Sequence, residues 1–165
     1  DSTGFLASML AEEFPAKIER TIYLASFMLP SGQRVLDYMP DRHSKLTGHV
    51  DVNRLALTDW LDPSAYKEAL YADCSDDDIA LARRLLTREP VRPALTRLSL
   101  SADRYGRVPR AYIRLTEDFA VSLNLQDHLL NQTHVDRVES IKASHSAYFS
   151  QPDELSGTIL KLAGA

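Results

Sequence analysis

Apolar positions along this chain alternate between helical and strand-like spacing. Leu6, Met9, Leu10 and Phe14 recur at helical spacing, and the β-branched and aromatic run at 20–27 predicts a buried strand of about six residues. Further strands are predicted at 110–115 and 138–141, and further helices at 63–71, 75–89, 122–131 and 152–163. Strands that alternate with helices predict an α/β fold, a parallel sheet covered by helices on both faces.

Three segments follow from this order of elements. Residues 1–32 hold the first helix and strand, and residues 91–165 hold the two later strands with their helices. Residues 33–90 have weak periodicity at first and helical spacing later, so we predict a mostly helical insertion between two strands. The length of 165 residues is that of one ordinary domain.

Composition and charge exclude several classes of function. The net charge is −4 with no long basic run, so neither nucleic acid nor an anionic membrane is an expected partner. No apolar stretch approaches the length of a membrane span and no secretory signal is visible, so we expect a cytoplasmic protein. The histidines and the acidic cluster around Asp76 lack the spacing of zinc and EF-hand ligands, so no metal or cofactor is expected.

The single cysteine is a poor candidate for a nucleophile. Cys74 has no partner for an internal disulfide, and its neighbours Asp73 and Asp76–Asp78 should raise the pKa of the thiol.

Ser2-Thr3-Gly4, at the head of the first apolar helix, is the candidate nucleophile motif. It matches the right half of Gly-x-Ser-x-Gly, in which the serine lies on a sharp turn from strand to helix. The helix dipole and the N–H of Thr3 would then favour a developing oxyanion. Alone the motif is weak, because a serine before a helix is more often a simple N-cap.

An acid and a histidine follow in the order that this motif requires. Asp118 comes directly after the strand at 110–115, and His145 comes directly after the strand at 138–141. The carboxyl ends of parallel strands meet at one edge of a sheet, so Ser2, Asp118 and His145 should come together as nucleophile, orienting acid and general base. Glu117 remains an alternative acid. The other histidines remain alternative bases: His43, His49, His128 and His134.

Four stretches, spanning nearly the whole chain, carry a resemblance to a known family. They are Tyr23–Pro30, Leu70–Ser75 with the helix after it, Arg107–Asp118, and Ala143–His145 through Leu155. In these stretches the chain resembles the plant methylesterase and hydroxynitrile lyase branch of the α/β-hydrolases, and more closely its bacterial relatives.

The resemblance implies a small helical cap over the site, roughly residues 33–90. It implies hydrolysis of esters of small or hydrophobic acids without metal or cofactor, and it places Ser2, Asp118 and His145 in the triad positions. Hydroxynitrile lyases of this branch carry a lysine directly after the histidine, where this chain has Ser146, so lyase activity is not expected.

The family's domain also has strands before the nucleophile, with the loop that donates the second oxyanion hydrogen bond. We therefore expect a further segment of the same domain, covalently attached or as a separate chain, and we do not expect residues 1–165 alone to be a stable monomer. A homodimer is a further possibility.

Aromatic and large apolar residues near the strand ends and in the cap are candidates for the acyl pocket, although such residues are more often core. They are Phe27, Met28, Trp60, Leu61, Tyr71, Phe119 and Phe149. Three hypotheses remain: a serine ester hydrolase, another triad reaction such as that of a lactonase, cyclase or lyase, and a non-catalytic binding module or half of a heterodimer.

Overall fold

A parallel sheet of three strands forms the centre of the fold, and most of the helices pack against it. The structure is a computed structural model, and it describes residues 3–164. Its helices are α1 (Thr3–Glu13), α2 (Tyr66–Ala69), α3 (Asp76–Leu85), α4 (Arg92–Leu95), α5 (Leu123–Gln132), α6 (Ala147–Ser150) and α7 (Pro152–Ala163). Its strands are β1 (Thr21–Leu24), β2 (Val50–Asn53), β3 (Thr58–Leu61), β4 (Glu89–Pro90), β5 (Arg110–Leu115) and β6 (Arg137–Ile141). Single 3₁₀ turns lie at Pro15–Lys17, Val35–Tyr38, Pro63–Ala65 and Tyr105–Arg107.

The strand order β1-β5-β6 confirms the predicted parallel sheet. The central strand β5 is buried on both faces, as parallel strands between helical layers are. Ala111, Ile113 and Leu115 pack on one face with residues of α6 and α7, while Tyr112 packs on the other with Tyr23 and Met28. Alternate side chains of β5 therefore hold the two helical layers to the sheet.

The strand predicted at 20–27 is shorter than its apolar run. Main-chain pairing to β5 ends near Ala25, whose N–H donates to the carbonyl of Ile113 at 2.9 Å. Ala25 has φ 39°, a left-handed conformation that turns the chain out of the sheet. Residues 25–29 are all buried, so the run is apolar because it enters the core, although only its first half is strand.

The insertion at 33–90 is not mostly helical, which corrects the prediction. It contains α2 and α3, but also an antiparallel sheet of β2, β3 and β4. All four residues of β2 are exposed, so the strand has no buried face to produce an apolar pattern. The turn between β2 and β3 has no glycine or proline; instead the Asn53 side chain accepts hydrogen bonds from the N–H groups of Leu55 and Ala56.

Helix α3 begins as its sequence predicts. The hydroxyl of Ser75 accepts from the N–H of Asp78 at 3.1 Å, and the Asp78 carboxylate accepts from the N–H of Ser75 at 3.1 Å. This capping box satisfies N–H groups that the first turn leaves without partners. The helix ends at Leu85, four residues earlier than predicted.

Helix α1 leaves several large apolar side chains exposed, although Phe5 is buried. Gly4, Phe5, Ser8 and Ala11 are the buried residues of the helix. The side chains whose spacing predicted the helix, Leu6, Met9, Leu10 and Phe14, are each at least 43% exposed. We call these four residues the α1 apolar face. Among the described residues, this face is a concentration of exposed apolar surface, and β1, which α1 contacts, is an edge strand of the parallel sheet.

Candidate active site

Asp118 and His145 form a directly hydrogen-bonded pair. The Nδ1 atom of His145 lies 2.7 Å from Oδ2 of Asp118. The other carboxylate oxygen, Oδ1, accepts from the N–H groups of Ala120 at 2.7 Å and Val121 at 3.0 Å. The Asp118 side chain is fully buried and the His145 side chain is 14% exposed. The carboxylate is thus fixed in one orientation, with one oxygen on the imidazole.

The sheet brings this pair together. Asp118 follows β5 and His145 follows β6, and these strands are parallel neighbours. Their pairing continues into the loops: the N–H of Thr116 donates to the carbonyl of Ile141, and the N–H of Glu117 to that of Ala143, both at 3.1 Å. The two loops therefore leave the sheet side by side, which accounts for the contact between side chains 27 residues apart in sequence.

The beginning of α1 faces the same place. Ser2, the predicted nucleophile, lies outside the described residues. A cavity of about 430 Å³ lies beside His145, and its lining includes the first residues of α1. The lining residues are Thr3, Gly4, Ala7, Ile22, Tyr23, Leu24, Ser26, His145 and Tyr148. Thr3 and Gly4 of the predicted nucleophile motif thus line the same cavity as the predicted base, and the oxyanion role of Thr3 stays a prediction.

Gly4 is required by a close approach between α1 and the chain that follows β1. A Cβ at this position would lie 2.6 Å from the carbonyl oxygen of Phe27 and closer still to Oγ of Ser26. Side chains do not tolerate such distances to the main chain, so only glycine lets the helix begin here. This is the role that the motif assigns to its last glycine.

The alternative acid and bases lie elsewhere. Glu117 points to Lys142, with Oε1 3.6 Å from Nζ, and is half-exposed. His43 and His49 are exposed residues of the insertion. His134 pairs with Asp136 at the surface, and the ring of His128 lies against Tyr38 and the amide of Gln132. Of these candidates, only Asp118 and His145 are brought together.

None of the predicted pocket residues lines this cavity. Phe27 packs with Phe5 in the core, and Met28 packs with Tyr23 and Tyr112, so these two are core side chains. Tyr71, Leu61 and Phe149 belong to the apolar cluster of the insertion. Trp60 is half-buried in β3, and Phe119 is 39% exposed beneath Nζ of Lys45.

Sequence reasoning missed Tyr148, which lines the cavity and is 52% exposed. Its hydroxyl lies 3.2 Å from Oγ of Ser146, and an aromatic residue three positions after the predicted base was the signal available for it.

Cys74 is buried, with Sγ 3.9 Å from the carbonyl oxygen of Ser146. Burial, together with the Asp73 and Asp78 carboxylates, raises the pKa of the thiol to about 11. The thiol is therefore protonated at neutral pH. The raised pKa confirms the direction of shift that the sequence predicts.

Residues 3–164 contain no cluster of three or more side chains suited to a metal ion. The helices of the described part of the chain are also too short or too polar to cross a bilayer.

No family model matches the chain, but comparison with known proteins finds similar sequences and structures. A chloroplastic protein of Arabidopsis thaliana that carries the name methylesterase 11 is 34% identical over 177 residues, covering 99% of this chain and 44% of that protein. The chain spans about half the length of the first curated relatives it matches.

Solved structures show the same fold. A pyrethroid hydrolase from Sphingobium faniae JZ-2 matches with a TM-score of 0.88 and 22% identity, over 100% of this chain and 68% of the hydrolase. Tomato methylketone synthase I matches with a TM-score of 0.84 and 24% identity, over 98% of this chain and 67% of the synthase. The chain therefore has the α/β-hydrolase fold, and its curated relatives include plant methylesterases.

Proposed function

We propose that this protein hydrolyses carboxylic esters through an acyl-enzyme on Ser2, with His145 as general base and Asp118 as orienting acid. The observation that carries the proposal is the 2.7 Å contact between Asp118 and His145, at a cavity that the beginning of α1 also lines. The names of the relatives, a methylesterase and a pyrethroid hydrolase, agree with ester hydrolysis.

The hydrogen bonds of Asp118 determine how His145 would act. The carboxylate already accepts two main-chain N–H groups, so it is an acceptor towards the imidazole as well. Nδ1 of His145 then carries the proton, and Nε2 is left to accept one. This is the tautomer that a general base beside a serine needs.

The reaction follows in two balanced halves. Oγ of Ser2 bonds to the acyl carbon as its proton passes to Nε2, and the tetrahedral oxyanion is stabilised at the N-terminus of α1, with the N–H of Thr3 as the proposed donor. The C–O bond to the alcohol then breaks, and Nε2 returns the proton to the leaving oxygen. Water repeats the sequence on the acyl-enzyme, releasing the acid and restoring Ser2.

The first test is turnover of activated aryl esters and of methyl esters by the full-length protein. His145→Ala should lower kcat by about 10²- to 10⁴-fold because the base is lost. Ser2→Ala should abolish acyl-enzyme formation, whereas the control His134→Ala, at an exposed histidine, should leave kcat unchanged.

Three outcomes would replace the proposal. An active Ser2→Ala variant would show that Ser2 is not the nucleophile. A lactone turned over faster than every open-chain ester would favour a lactonase instead. Absence of turnover with every ester and lactone would favour a binding module that keeps the cavity without the chemistry.

A further inference from the structure

A carboxylate of the insertion, that of Asp73, accepts two hydrogen bonds from the loop that carries His145. Oδ2 of Asp73 accepts the N–H of Ser144 at 3.0 Å, and Oδ1 of Asp73 accepts the hydroxyl of the same serine. Ser144 precedes His145 directly and is 1% exposed, whereas Asp73 is 71 residues away in sequence. Both donors of a buried residue next to the predicted base are thus held by one side chain.

No helix or strand holds the loop at Ser144, whose hydroxyl also lies 3.5 Å from the carbonyl oxygen of Leu70 in the insertion. After β6 ends at Ile141, the next helix, α6, begins only at Ala147. The main chain fixes Ala143, whose N–H donates to Ile141 and whose carbonyl accepts from Glu117. Asp73 supplies the acceptor for the next N–H, at Ser144, in place of a main-chain carbonyl.

A second contact lies on the other side of His145. The Sγ atom of Cys74 lies 3.9 Å from the carbonyl oxygen of Ser146, the residue that follows the histidine. Residues 73 and 74 of the insertion therefore touch the residues immediately before and after His145. Through these contacts, the insertion restrains the main chain on both sides of His145, from which the imidazole projects.

The charge of Asp73 strengthens its hydrogen bonds to Ser144. Partial burial opposes ionisation, but the hydroxyl and N–H of Ser144 outweigh it and hold the pKa of Asp73 below its ordinary value. The carboxylate is therefore ionised at neutral pH, and hydrogen bonds to an ionised acceptor are about twice as strong as neutral ones.

We infer that Asp73 is a positioning residue for His145, acting from the insertion through Ser144 on the placement of the imidazole. This inference rests on the proposed ester hydrolysis. A base misplaced by about 1 Å can cost about 100-fold in rate, so a positioning role should appear in kcat. A role confined to tethering the insertion would lower thermal stability and leave kcat of the folded protein intact.

The test compares Asp73→Ala, Asp73→Asn and Ser144→Ala in the full-length protein. The control is Asp77→Ala, which removes an exposed carboxylate four residues away at the start of α3. On an activated aryl ester, Asp73→Ala should lower kcat about 10- to 100-fold with KM changed less than about threefold. Asp73→Asn keeps one acceptor oxygen and should recover part of this loss.

A double-variant cycle tests the route through Ser144. If Asp73 acts through that residue, Asp73→Ala with Ser144→Ala should be no slower than the slower single variant. Additive losses, a change in KM alone, or a kcat loss no greater than that of Asp77→Ala would overturn the inference.

Two further outcomes are distinguishable. An active wild type with unaffected Asp73 variants overturns this inference alone, whereas an inactive wild type overturns the proposed function with it. Should Asp73→Ala fail to fold, Asp73→Asn and Ser144→Ala decide the question by the same kcat criterion.

Discussion

Gly4 lies where α1 comes closest to the chain that leaves β1. We predict that Gly4→Ala displaces the start of the helix, because its Cβ would press on the Phe27 carbonyl, a main-chain atom that cannot swing aside. The unfolding free energy should fall by about 1–3 kcal/mol, the usual cost of overpacking, and kcat should fall with it. Denaturant unfolding and ester turnover measure the two effects.

Gly157 provides the matched control. It lies in α7, and nothing lies within 4 Å of where its Cβ would be. Gly157→Ala should be neutral or stabilise by up to about 1 kcal/mol, because alanine is the better helix former. Equal effects of the two substitutions would contradict the close-approach argument for Gly4.

Single residues also limited what the sequence could predict about the pocket. Phe27 was expected at the cavity because it follows a strand. Ala25, however, adopts a left-handed conformation without being glycine, and the turn it makes sends Phe27 into the core. The sequence does not mark that turn, because Ala25 is neither glycine nor one of the residue types, such as Asn and Asp, that are enriched at positive φ. The positions of Asp118 and His145 needed only strand ends and chain order, so they were predictable.

At the scale of elements, Asp136 joins the beginnings of β5 and β6. Its carboxylate accepts the N–H of Arg110 at 2.7 Å, and its own N–H donates to the carbonyl of Arg110 at 2.9 Å. The hydrogen bond from Arg110 lowers the pKa of Asp136, against the opposing effect of burial. The ionised carboxylate therefore helps to set the register of the two strands that carry the acid and the histidine.

The lowered pKa of Asp136 predicts a pH dependence. A carboxyl group with a depressed folded pKa stabilises the fold above its ordinary pKa of about 4, and loses that effect as the pH falls through the folded value. Asp136→Asn should thus cost less than about 1 kcal/mol at pH 7, since the side chain is 44% exposed.

The difference from wild type should shrink on acidification below pH of about 4, where the wild-type carboxylate takes up a proton as well. Urea unfolding at several pH values measures it, with Asp103→Asn, at an exposed residue, as the control. A difference that stays constant down to pH 3 would refute the assigned role.

Several elements that the sequence predicted have a buried face. Strand β5 and helices α5 and α7 contribute several buried side chains, which produce their apolar spacing, whereas β6 buries only Ile141 and the residues that predicted α1 are exposed. Strand β2 is exposed at every position, and β4 is two residues long, so their pairing left no periodic pattern to find. The insertion thus appeared helical because α2 and α3 contribute fully buried residues to its apolar cluster, whereas β3 contributes only the partly buried Leu61.

At the scale of the whole molecule, the described residues include two features that favour association: the exposed α1 apolar face, and β1 as an edge strand of the parallel sheet. We predict that residues 1–165, produced alone, bind a hydrophobic dye and self-associate with increasing concentration. Leu10→Lys should weaken both, because it places a charge in the centre of this face.

The control for that experiment is Leu85→Lys, at an exposed leucine of α3 outside the α1 apolar face. Sedimentation at several concentrations distinguishes the two variants. A monomeric, dye-silent wild-type chain, or equal effects of both lysine substitutions, would show that this face does not drive association.

The buried thiol of Cys74 offers a way to measure how often the contact between the insertion and the loop of His145 opens. A protonated thiol packed against the Ser146 carbonyl reacts with an alkylating reagent only when that contact opens. The chain has one cysteine, so every modified molecule reports the same event. The alkylation rate therefore measures how often the insertion separates from the core. If a bound substrate analogue slows alkylation, that separation is linked to occupancy of the cavity.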